Sequence, residues 1–328
     1  MTGLTAVLVA YKTPELLAES LRALQASPRV GRIVVADNSG PDLRPREVAL
    51  AFDKVTHLPL PENVGFARAV NAALAEVRDG HVLLINPDCV LEPGHLQRLL
   101  DVLEQHPGSG VVAPWTVSPS RKLGILAAGR QPTLWRIFTH YSGLSVLFPR
   151  SRWAEGWNFR ATAHTDRVRP VEWASGACLL VRDTVLDEVG PLSERWFMYA
   201  EDMEYCRRVR DAGWEVLHVP GARATHVIGA ASEGGPVSTR WVSTLVDYYE
   251  TEWRASAAHR LLYRSVLATG LALRAAACWA RSRRAHGETR QSWLGEAQKN
   301  LVCARRALRP RRKALDVPPE QVAAGEVA

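Results

Sequence analysis

A carboxylate with an oxygen-bearing neighbour follows an apolar run of strand length. Asp88 comes after Val82–Ile85, and Asn86 precedes it by two residues. Both side chains turn to the same side if the extended geometry continues through Pro87. Such oxygens suit a hard divalent cation that keeps several waters and binds substrate phosphates. Asn-Pro-Asp is also ordinary turn chemistry, so this segment alone does not decide between a site and a turn.

A second acidic segment is Glu201-Asp202, which begins a helical pattern that Gly213 ends. Acids in a first helical turn commonly stabilise the helix through its macrodipole. His226 follows the next apolar run and is predicted to lie in a loop beyond Pro220. Taken singly, these residues do not indicate a site.

The elements that position these residues alternate between strands and helices. The runs of strand length in the first part of the chain are Leu4–Ala10, Ile33–Ala36, Val55–Leu60 and Val82–Ile85. Helical patterns between them predict an α/β domain with a mostly parallel sheet. Ligands of such sheets bind beyond the carboxyl ends of the strands, and Tyr11, Asp37 and Asp88 each come just after a strand.

Two common α/β sites are absent from the sequence. The first strand-to-helix turn, Ala10–Pro14, has no glycine fingerprint, and no Walker A sequence occurs. The sequence therefore does not favour an ordinary dinucleotide-binding dehydrogenase or a P-loop enzyme. Gly176 interrupts the apolar run Val171–Arg182, which is consistent with close approach of a ligand and equally with a bulge.

The positive charge is concentrated near the C-terminus. The 328 residues carry a formal charge of +7, and residues 241–328 contain 15 Lys plus Arg against 8 Asp plus Glu. This basic region predicts an anionic partner, such as a membrane surface.

The five cysteines lack C-x-x-C spacing, so neither a zinc cluster nor a disulfide framework is indicated. Reduced thiols predict a cytoplasmic location.

These patterns predict a domain organisation. Residues 1–240 form an α/β domain with an irregular insertion at 115–170, residues 241–316 a basic amphipathic helical extension, and residues 317–328 a disordered tail. The apolar stretch Leu261–Ala280 contains two arginines and is not expected to cross a bilayer. The extension either lies on an anionic membrane surface or packs on the α/β domain.

Taken together, the segments over roughly residues 4–232 resemble the family-2 glycosyltransferases of GT-A type, and within them the rhamnosyltransferase-like branch. The motifs that carry the resemblance are Val9–Tyr11, Val35–Ser39, Asn63–Asn71, Asn86–Asp88, Trp173–Ala177, Phe197–Asp202, Ala212–Trp214 and His226. Each motif is weak alone, but their joint order and spacing are specific. The resemblance implies a GT-A fold, Rossmann-like with a mostly parallel central sheet and flanking helices, followed by the C-terminal helical extension.

The resemblance also implies roles for individual residues. It makes Asp202 the catalytic base, and Asp88 with His226 the ligands of a divalent cation, Mg or Mn. The implied donor-binding residues are Tyr11, Asp37, Asn63, Arg68, Asn86 and Asp88. The implied acceptor-side residues are Trp173, Gly176, Ala177 and Glu201. Because base and metal serve opposite faces of one sugar, Asp202 is predicted not to bind the metal.

The implied activity is inverting transfer of a sugar from a dTDP or UDP donor, preferably dTDP-L-rhamnose, to a hydroxyl. The expected acceptor is a glycan, a polyprenyl-linked molecule or a small molecule, and no nucleic acid is expected to bind. The enzyme is expected in the cytoplasm, peripherally on the inner face of the membrane. A nucleotidyltransferase acting on a sugar phosphate and an inactive nucleotide-sugar-binding scaffold are the alternatives.

Overall fold

A computed structural model describes residues 3–118, 128–159, 167–227 and 239–309. The chain forms two compact units, each with its own contacts. Within the described residues the first, the sheet unit, comprises 3–118, 128–129 and 167–227, and the second, the helical unit, comprises 130–159 and 239–309. The predicted disordered tail, 317–328, lies outside the described residues.

Strands and helices alternate through the sheet unit. Its strands in the described residues are β1 (Leu4–Ala10), β2 (Arg32–Asp37), β3 (Val55–Pro59), β4 (His81–Ile85), β5 (Cys89–Val90), β6 (Ser109–Val117), β7 (Ala128–Gly129), β8 (Arg169–Val171), β9 (Trp173–Ala174), β10 (Cys178–Val181) and β11 (Glu215–His226). Its helices there are α1 (Pro14–Ala26), α2 (Arg44–Ala49), α3 (Phe66–Leu74), α4 (Pro93–Gln105), α7 (Asp183–Val189) and α8 (Glu201–Asp211).

The central sheet has the strand order β3-β2-β1-β4-β10-β6-β11-β5, and β8 also pairs with β11. The strands β3, β2, β1 and β4 are parallel to one another, as are β6 and β11, whereas β10 runs antiparallel between β4 and β6. Every residue of β1 and β4 is buried, as expected for strands covered by helices on both faces. The predicted α/β sheet is therefore confirmed.

The end of β11 differs from the prediction. His226 does not lie in a loop beyond Pro220, because β11 continues through it. Register shifts around Val219–Arg223 let the strand accommodate Pro220 and Gly221 without ending. The last residues of β11 then pair antiparallel with β5, His226 with Cys89. This pairing places His226 beside the segment that contains Asp88.

The described residues of the predicted irregular insertion, 115–118, 128–159 and 167–170, include regular elements. The strand β6 continues to Val117, and two helices follow, α5 (Leu134–Tyr141) and α6 (Leu144–Leu147). Thr133 caps α5 by accepting a hydrogen bond from the Arg136 amide. Residues 130–159 belong to the helical unit and not to the sheet unit. The sequence analysis did not predict α5 and α6, and the grouping of residues 130–159 depends on contacts with the C-terminal helices, which are distant in the sequence.

The helical unit continues with three C-terminal helices, α9 (Arg240–Glu252), α10 (Ala257–Ser282) and α11 (Gly287–Leu308). The predicted helical extension is thus present. Within the described residues α10 alone has the length and composition of a membrane span, with a mean hydropathy of 1.2 in its most apolar window. Of that window 39% is buried. In α10 the side chains of Tyr263, Leu267 and Leu271 are buried, whereas those of Leu261 and Leu273 are exposed. Tyr263 stacks on Tyr249.

Candidate active site at the strand ends

The carboxyl end of β2 holds a buried acid. Asp37 lies with its Oδ2 2.9 Å from Nε2 of His57, and its Oδ1 accepts a hydrogen bond from the Ser39 amide. His57 comes from the adjacent parallel strand β3, two residues before its end. Sequence reasoning missed this histidine. The available signal was an imidazole inside an otherwise apolar strand pattern beside the strand that ends in Asp37.

Asn38 connects this strand end to the following loop. Its Nδ2 donates to Oδ1 of Asn63 at 2.8 Å, and its Oδ1 accepts from the Val64 amide at 2.9 Å. Asn63 is one of the predicted donor-binding residues, and the buried Asn38 holds it in place. We infer that Asn38 positions this loop, a role that the sequence did not reveal because Asn after a strand is also common in turns.

The start of α3 lies against the loop before α8. The Phe66 amide donates to the Phe197 carbonyl at 2.8 Å. Gly65 adopts a φ of +91°, and a Cβ there would lie 2.7 Å from that same carbonyl oxygen. Tyr199 and Ala200 have φ values of 72° and 74°, which are strained for residues with a Cβ. This contact links the predicted donor loop to the acidic segment Glu201-Asp202.

Replacing Gly65 with alanine is expected to lower the free energy of unfolding by roughly 2–4 kcal/mol, from backbone strain and the clash with a carbonyl. Denaturant titration of the purified variant measures the change. Gly94→Ala is the matched control, since Gly94 lies in α4 with nothing within 4 Å of its added Cβ. Equal stability of Gly65→Ala and wild type would contradict the close packing at Phe197.

The second site element brings Asp88 and His226 together. Oδ1 of Asp88 lies 3.1 Å from Nε2 of His226, and both side chains are mostly buried. The pairing of β5 with β11 and a hydrogen bond from the Val227 amide to the Asp88 carbonyl hold them there. These two residues are 138 positions apart in the sequence, and the sheet confirms that they are neighbours.

Asn86 completes this element. The backbone N–H of Asn86 donates to the Ala177 carbonyl at 3.0 Å. Its side-chain oxygen, Oδ1, is buried and has no hydrogen-bond partner among the described residues. An orphaned buried oxygen is costly unless a ligand satisfies it. The described residues contain no cluster of three His, Cys, Asp or Glu side chains that could hold a metal by themselves.

The donor set fits a divalent cation that shares its ligands with a substrate. Ligand atoms about 3 Å apart are adjacent in an octahedral shell with metal–oxygen distances of ~2.1 Å, so Asp88 and His226 are suitably spaced. Few protein ligands leave positions for water and phosphate oxygens, which is typical of magnesium and manganese sites. The residues present therefore fit such an ion.

Asp202 is held by two backbone amides. Its Oδ2 accepts from Gly176 at 3.0 Å and its Oδ1 from Met203 at 2.8 Å. Burial raises the pKa of Asp202, and these hydrogen bonds oppose that shift by stabilising the charged form. A Cβ on Gly176 would meet Phe66 at 3.4 Å and Asp202 at 3.6 Å, so the backbone approaches the acid closely there.

Glu201, the neighbouring acid, is buried, and its Oε2 has no hydrogen-bond partner in the described part of the chain. Burial, followed by the charge of Asp202, raises the pKa of Glu201 to about 8. Backbone amides of Tyr199 and Glu201 also donate to the Glu201 carboxyl, but its Oε2 bonds none of the described groups, and burial and the charge of Asp202 raise its pKa. We therefore infer that Asp202 ionises first. Opposite protonation states in adjacent acids are typical of acid and base assignments in active sites.

The raised pKa of Glu201 predicts a stability change with pH. Since the ordinary value is 4.5 and the folded value about 8, the folded chain binds more protons between them. The proton on Glu201 therefore adds to the free energy of unfolding. This added stability is fully present below pH 4.5 and is lost as pH rises toward 8, at no more than ~1.4 kcal/mol per pH unit. Denaturant titrations of wild type and Glu201→Gln across this range measure it.

Glu201→Gln should flatten this dependence, because the amide has no proton to lose. The control is Glu204→Gln on the same helix, whose acid pairs with Arg208 and is partly accessible to water. It should keep the wild-type slope. An identical slope for wild type and Glu201→Gln would show that Glu201 does not carry the proton.

The remaining predicted residues occupy varied positions. Tyr11 is half-buried directly after β1, whereas Arg68 is exposed on α3 and lies 3.5 Å from Glu194. Trp173 and Ala177 are buried beside Gly176. The burial of Glu201 favours a place behind Asp202 over direct contact with an acceptor. The donor and acceptor roles of these residues stay predictions.

The sequence model of the family described as glycosyltransferase like family 2 matches residues 2–244. The chain belongs to this family. An N-acetylglucosaminyl-diphospho-decaprenol L-rhamnosyltransferase of Mycobacterium tuberculosis is 31% identical over 270 residues, which cover 77% of this chain and 87% of that protein. The rhamnosyltransferase WbbL of Escherichia coli is 21% identical, over 67% of this chain and 81% of WbbL.

Solved structures show the same fold. A mannosyltransferase of Pyrobaculum calidifontis, in complex with GDP-Man and Mn2+, has a TM-score of 0.58 at 16% identity and covers 94% of this chain and 87% of its own. GalNAc-T7 with UDP, GalNAc and Mn2+ has a TM-score of 0.55 at 11% identity, over 92% of this chain and 55% of its own. The GT-A fold with added C-terminal helices is thereby confirmed.

Membership of the family and the rhamnosyltransferase relatives decide the general activity. The chain is a glycosyltransferase, which moves a sugar from a nucleotide donor. The family match does not favour the nucleotidyltransferase or scaffold alternatives. The carboxyl ends of the strands, where Asp37, Asp88 and His226 lie, are accordingly the candidate active site.

Proposed function

We propose that this glycosyltransferase transfers L-rhamnose from dTDP-L-rhamnose, with inversion, to a hydroxyl of a polyprenyl-diphosphate-linked sugar. The observation that carries the proposal is that the sheet unit holds two kinds of acid. Asp88 lies against His226, an arrangement suited to a cation, and Asp202 accepts hydrogen bonds from two backbone amides, an arrangement suited to a base. The 31% identical mycobacterial relative, which is named for rhamnosyl transfer to a decaprenol-linked acceptor, supports this sugar and acceptor class.

Asp202 is the group for the acceptor side of the reaction. Both of its oxygens are oriented by backbone amides, so the carboxylate is preorganised to accept the proton of the attacking hydroxyl. With both oxygens so engaged, Asp202 does not serve as a metal ligand in the proposal. The neutral Glu201 behind it adds no second negative charge that would repel the donor diphosphate.

Asp88, His226 and the amide oxygen of Asn86 are the groups that would hold a divalent cation, Mn or Mg. When bound, the cation would neutralise the charge that develops on the leaving diphosphate. Mn2+ in the two structural neighbours supports a divalent ion in this fold. Since Asn86 brings no charge, we expect weak metal binding until a donor diphosphate contributes its own oxygens.

Asp37 and Asn63 are the donor-side groups. Asp37 lies between His57 and the Ser39 amide, so its carboxylate is rigid and suited to reading a nucleobase edge. Asn38 orients Asn63 at the start of the loop that leads to α3.

We propose a cytoplasmic, peripheral location on the inner face of the membrane. Two observations support it: the five cysteines are buried and form no disulfides, and the helical unit is basic.

A panel of nucleotide sugars tests the proposal. Thermal stabilisation is measured with dTDP-L-rhamnose, UDP-glucose, UDP-N-acetylglucosamine and GDP-mannose, each with and without Mn2+, followed by transfer to a polyprenyl-diphosphate-linked N-acetylglucosamine. We expect the largest stabilisation and transfer with dTDP-L-rhamnose, and only with the metal present. Transfer from another donor alone would overturn the sugar assignment while leaving the family intact.

A further inference from the structure

The helical unit exposes a group of large apolar side chains that none of its described helices covers. They come from α5, α6 and the turn that follows, and we call them the aromatic edge: Trp135, Phe138, Leu147, Phe148 and Trp153. Leu147 is 71% and Phe148 54% exposed. Single exposed apolar residues are ordinary on protein surfaces, but a group from one segment of 19 residues indicates a binding surface.

The aromatic edge is held in a defined arrangement. Trp135 Nε1 donates to the Trp153 carbonyl at 3.0 Å, and the centroids of their rings are 4.6 Å apart. The Arg136 guanidinium donates to the carbonyls of Arg152 and Glu155 at 2.8 and 2.9 Å. The segment after α6 is thereby fastened to α5, so the exposed rings are preorganised and lose little entropy on binding.

An apolar groove begins at the same edge. Phe138 lines it together with Tyr141 of α5 and Val266, Thr269 and Leu273 of α10, and its volume is about 230 Å³. Gly270, Ser142 and Ser265 complete its lining, and a Cβ on Gly270 would meet the Tyr141 side chain at 2.3 Å. An open groove with these walls fits a flexible hydrocarbon chain better than a polar ligand.

The unpaired charge next to the aromatic edge is positive, because the acid of this segment, Glu155, forms an ion pair with Arg130. Arg150 and Arg152 are exposed beside its rings, and neither forms an ion pair within the described residues. The described part of the helical unit contains 17 Lys plus Arg against 6 Asp plus Glu, whereas that of the sheet unit contains 18 against 23. Exposed aromatic side chains among arginines are typical of surfaces that lie at the headgroup level of an anionic bilayer.

We propose that the aromatic edge is the surface by which this enzyme docks on an anionic lipid bilayer, with the groove beside Phe138 receiving a lipid hydrocarbon chain. A second copy of the chain is a poorer occupant, because an isologous contact would bring the arginines of both copies together. The inference deepens the proposed peripheral location and depends on neither the donor sugar nor the acceptor.

Vesicle binding by exposed-residue variants tests the proposal. Leu147→Ser with Phe148→Ser should weaken binding to phosphatidylglycerol vesicles by at least about tenfold. The matched control is Leu43→Ser with Leu50→Ser in the sheet unit, where the side chains are 59% and 63% exposed, and it should bind like wild type. Arg150→Gln with Arg152→Gln should weaken binding mainly at low salt. Unchanged binding by the Leu147/Phe148 variant overturns the proposal.

A site-specific label gives an independent measurement. All five native cysteines are buried, so a cysteine introduced at Leu147 is preferentially labelled by an environment-sensitive fluorophore under native conditions. We expect its emission to shift to the blue on phosphatidylglycerol vesicles, and that of a label at Leu43 to stay unchanged. An equal absence of shift at both positions overturns the proposal, as does a vesicle-independent shift that tracks self-association in light scattering.

Donor hydrolysis in solution separates this inference from the proposed function. The Leu147/Phe148 variant should hydrolyse the donor at the wild-type rate without vesicles, since neither side chain is part of the active site. Vesicle binding by a wild-type protein that neither hydrolyses the donor nor transfers sugar would refute the proposed function and support the docking surface.

Discussion

Asp202→Asn is expected to lower kcat by about 100- to 10,000-fold, the range that removal of a general base typically produces. Asparagine has nearly the same shape and can still accept a hydrogen bond from the Gly176 or the Met203 amide. The asparagine NH2 group would face the other N–H, so the melting temperature should fall somewhat. The loss of kcat should fall on proton transfer, with the donor KM near wild type. Steady-state transfer rates and thermal unfolding measure both.

The matched control is Asp211→Asn at the other end of α8. Asp211 is largely exposed and lies 3.6 Å from Arg207, a surface pair that contributes little to stability. This variant should retain wild-type kcat. If Asp202→Asn also retained it, Asp202 would not be the base, and Glu201 would become the next residue to test.

The second large effect concerns the Asp88–His226 pair. Asp88→Asn should lower kcat/KM at a fixed Mn2+ concentration by at least about 100-fold, because changes to residues that merely support a metal ligand already cost 10- to 100-fold. Asn keeps the size of the side chain and removes its charge. Paramagnetic resonance of Mn2+ in the presence of dTDP should show weaker binding, which gives a measurement independent of turnover.

A double variant tests whether the two residues serve one cation. With Asp88→Asn in place, His226→Gln should cost little more than the worse single variant, since groups that act as a unit are not additive. The two side chains lie 3.1 Å apart, well within the range of coupling. Additive losses would instead assign them separate roles. Asp79→Asn, at an exposed position, is the control for removing one acid from the sheet unit.

The sequence predicted the sheet unit because its signals are local and agree with one another. The strands Leu4–Ala10 and His81–Ile85 are apolar runs of strand length, and Pro14 begins the first helix as expected. Asp37 ends β2 and Asp88 comes three residues after the end of β4, so the rule for parallel sheets places them at one edge. Pairing Asp88 with His226, which comes late in the sheet unit, required the resemblance to a family.

Residues whose function depends on a partner distant in sequence could not be found this way. His57 looks like one polar residue in a strand until the register of β2 and β3 places it against Asp37. Asn38 resembles an ordinary turn residue until it bonds Asn63 and Val64. The continuation of β11 to His226 needs the hydrogen bonds of β5, which local propensity does not contain.

The sequence by itself determined the α/β class, the strand-end acids and the helical, basic character of the C-terminal region, because hydrophobic periodicity and charge are properties of short segments. Only the tertiary structure decided that residues 130–159 join that region and that Glu201 is buried behind an amide-bound Asp202. Burial and pairing arise from contacts between distant segments, and these contacts set the protonation of the two acids and expose the aromatic edge.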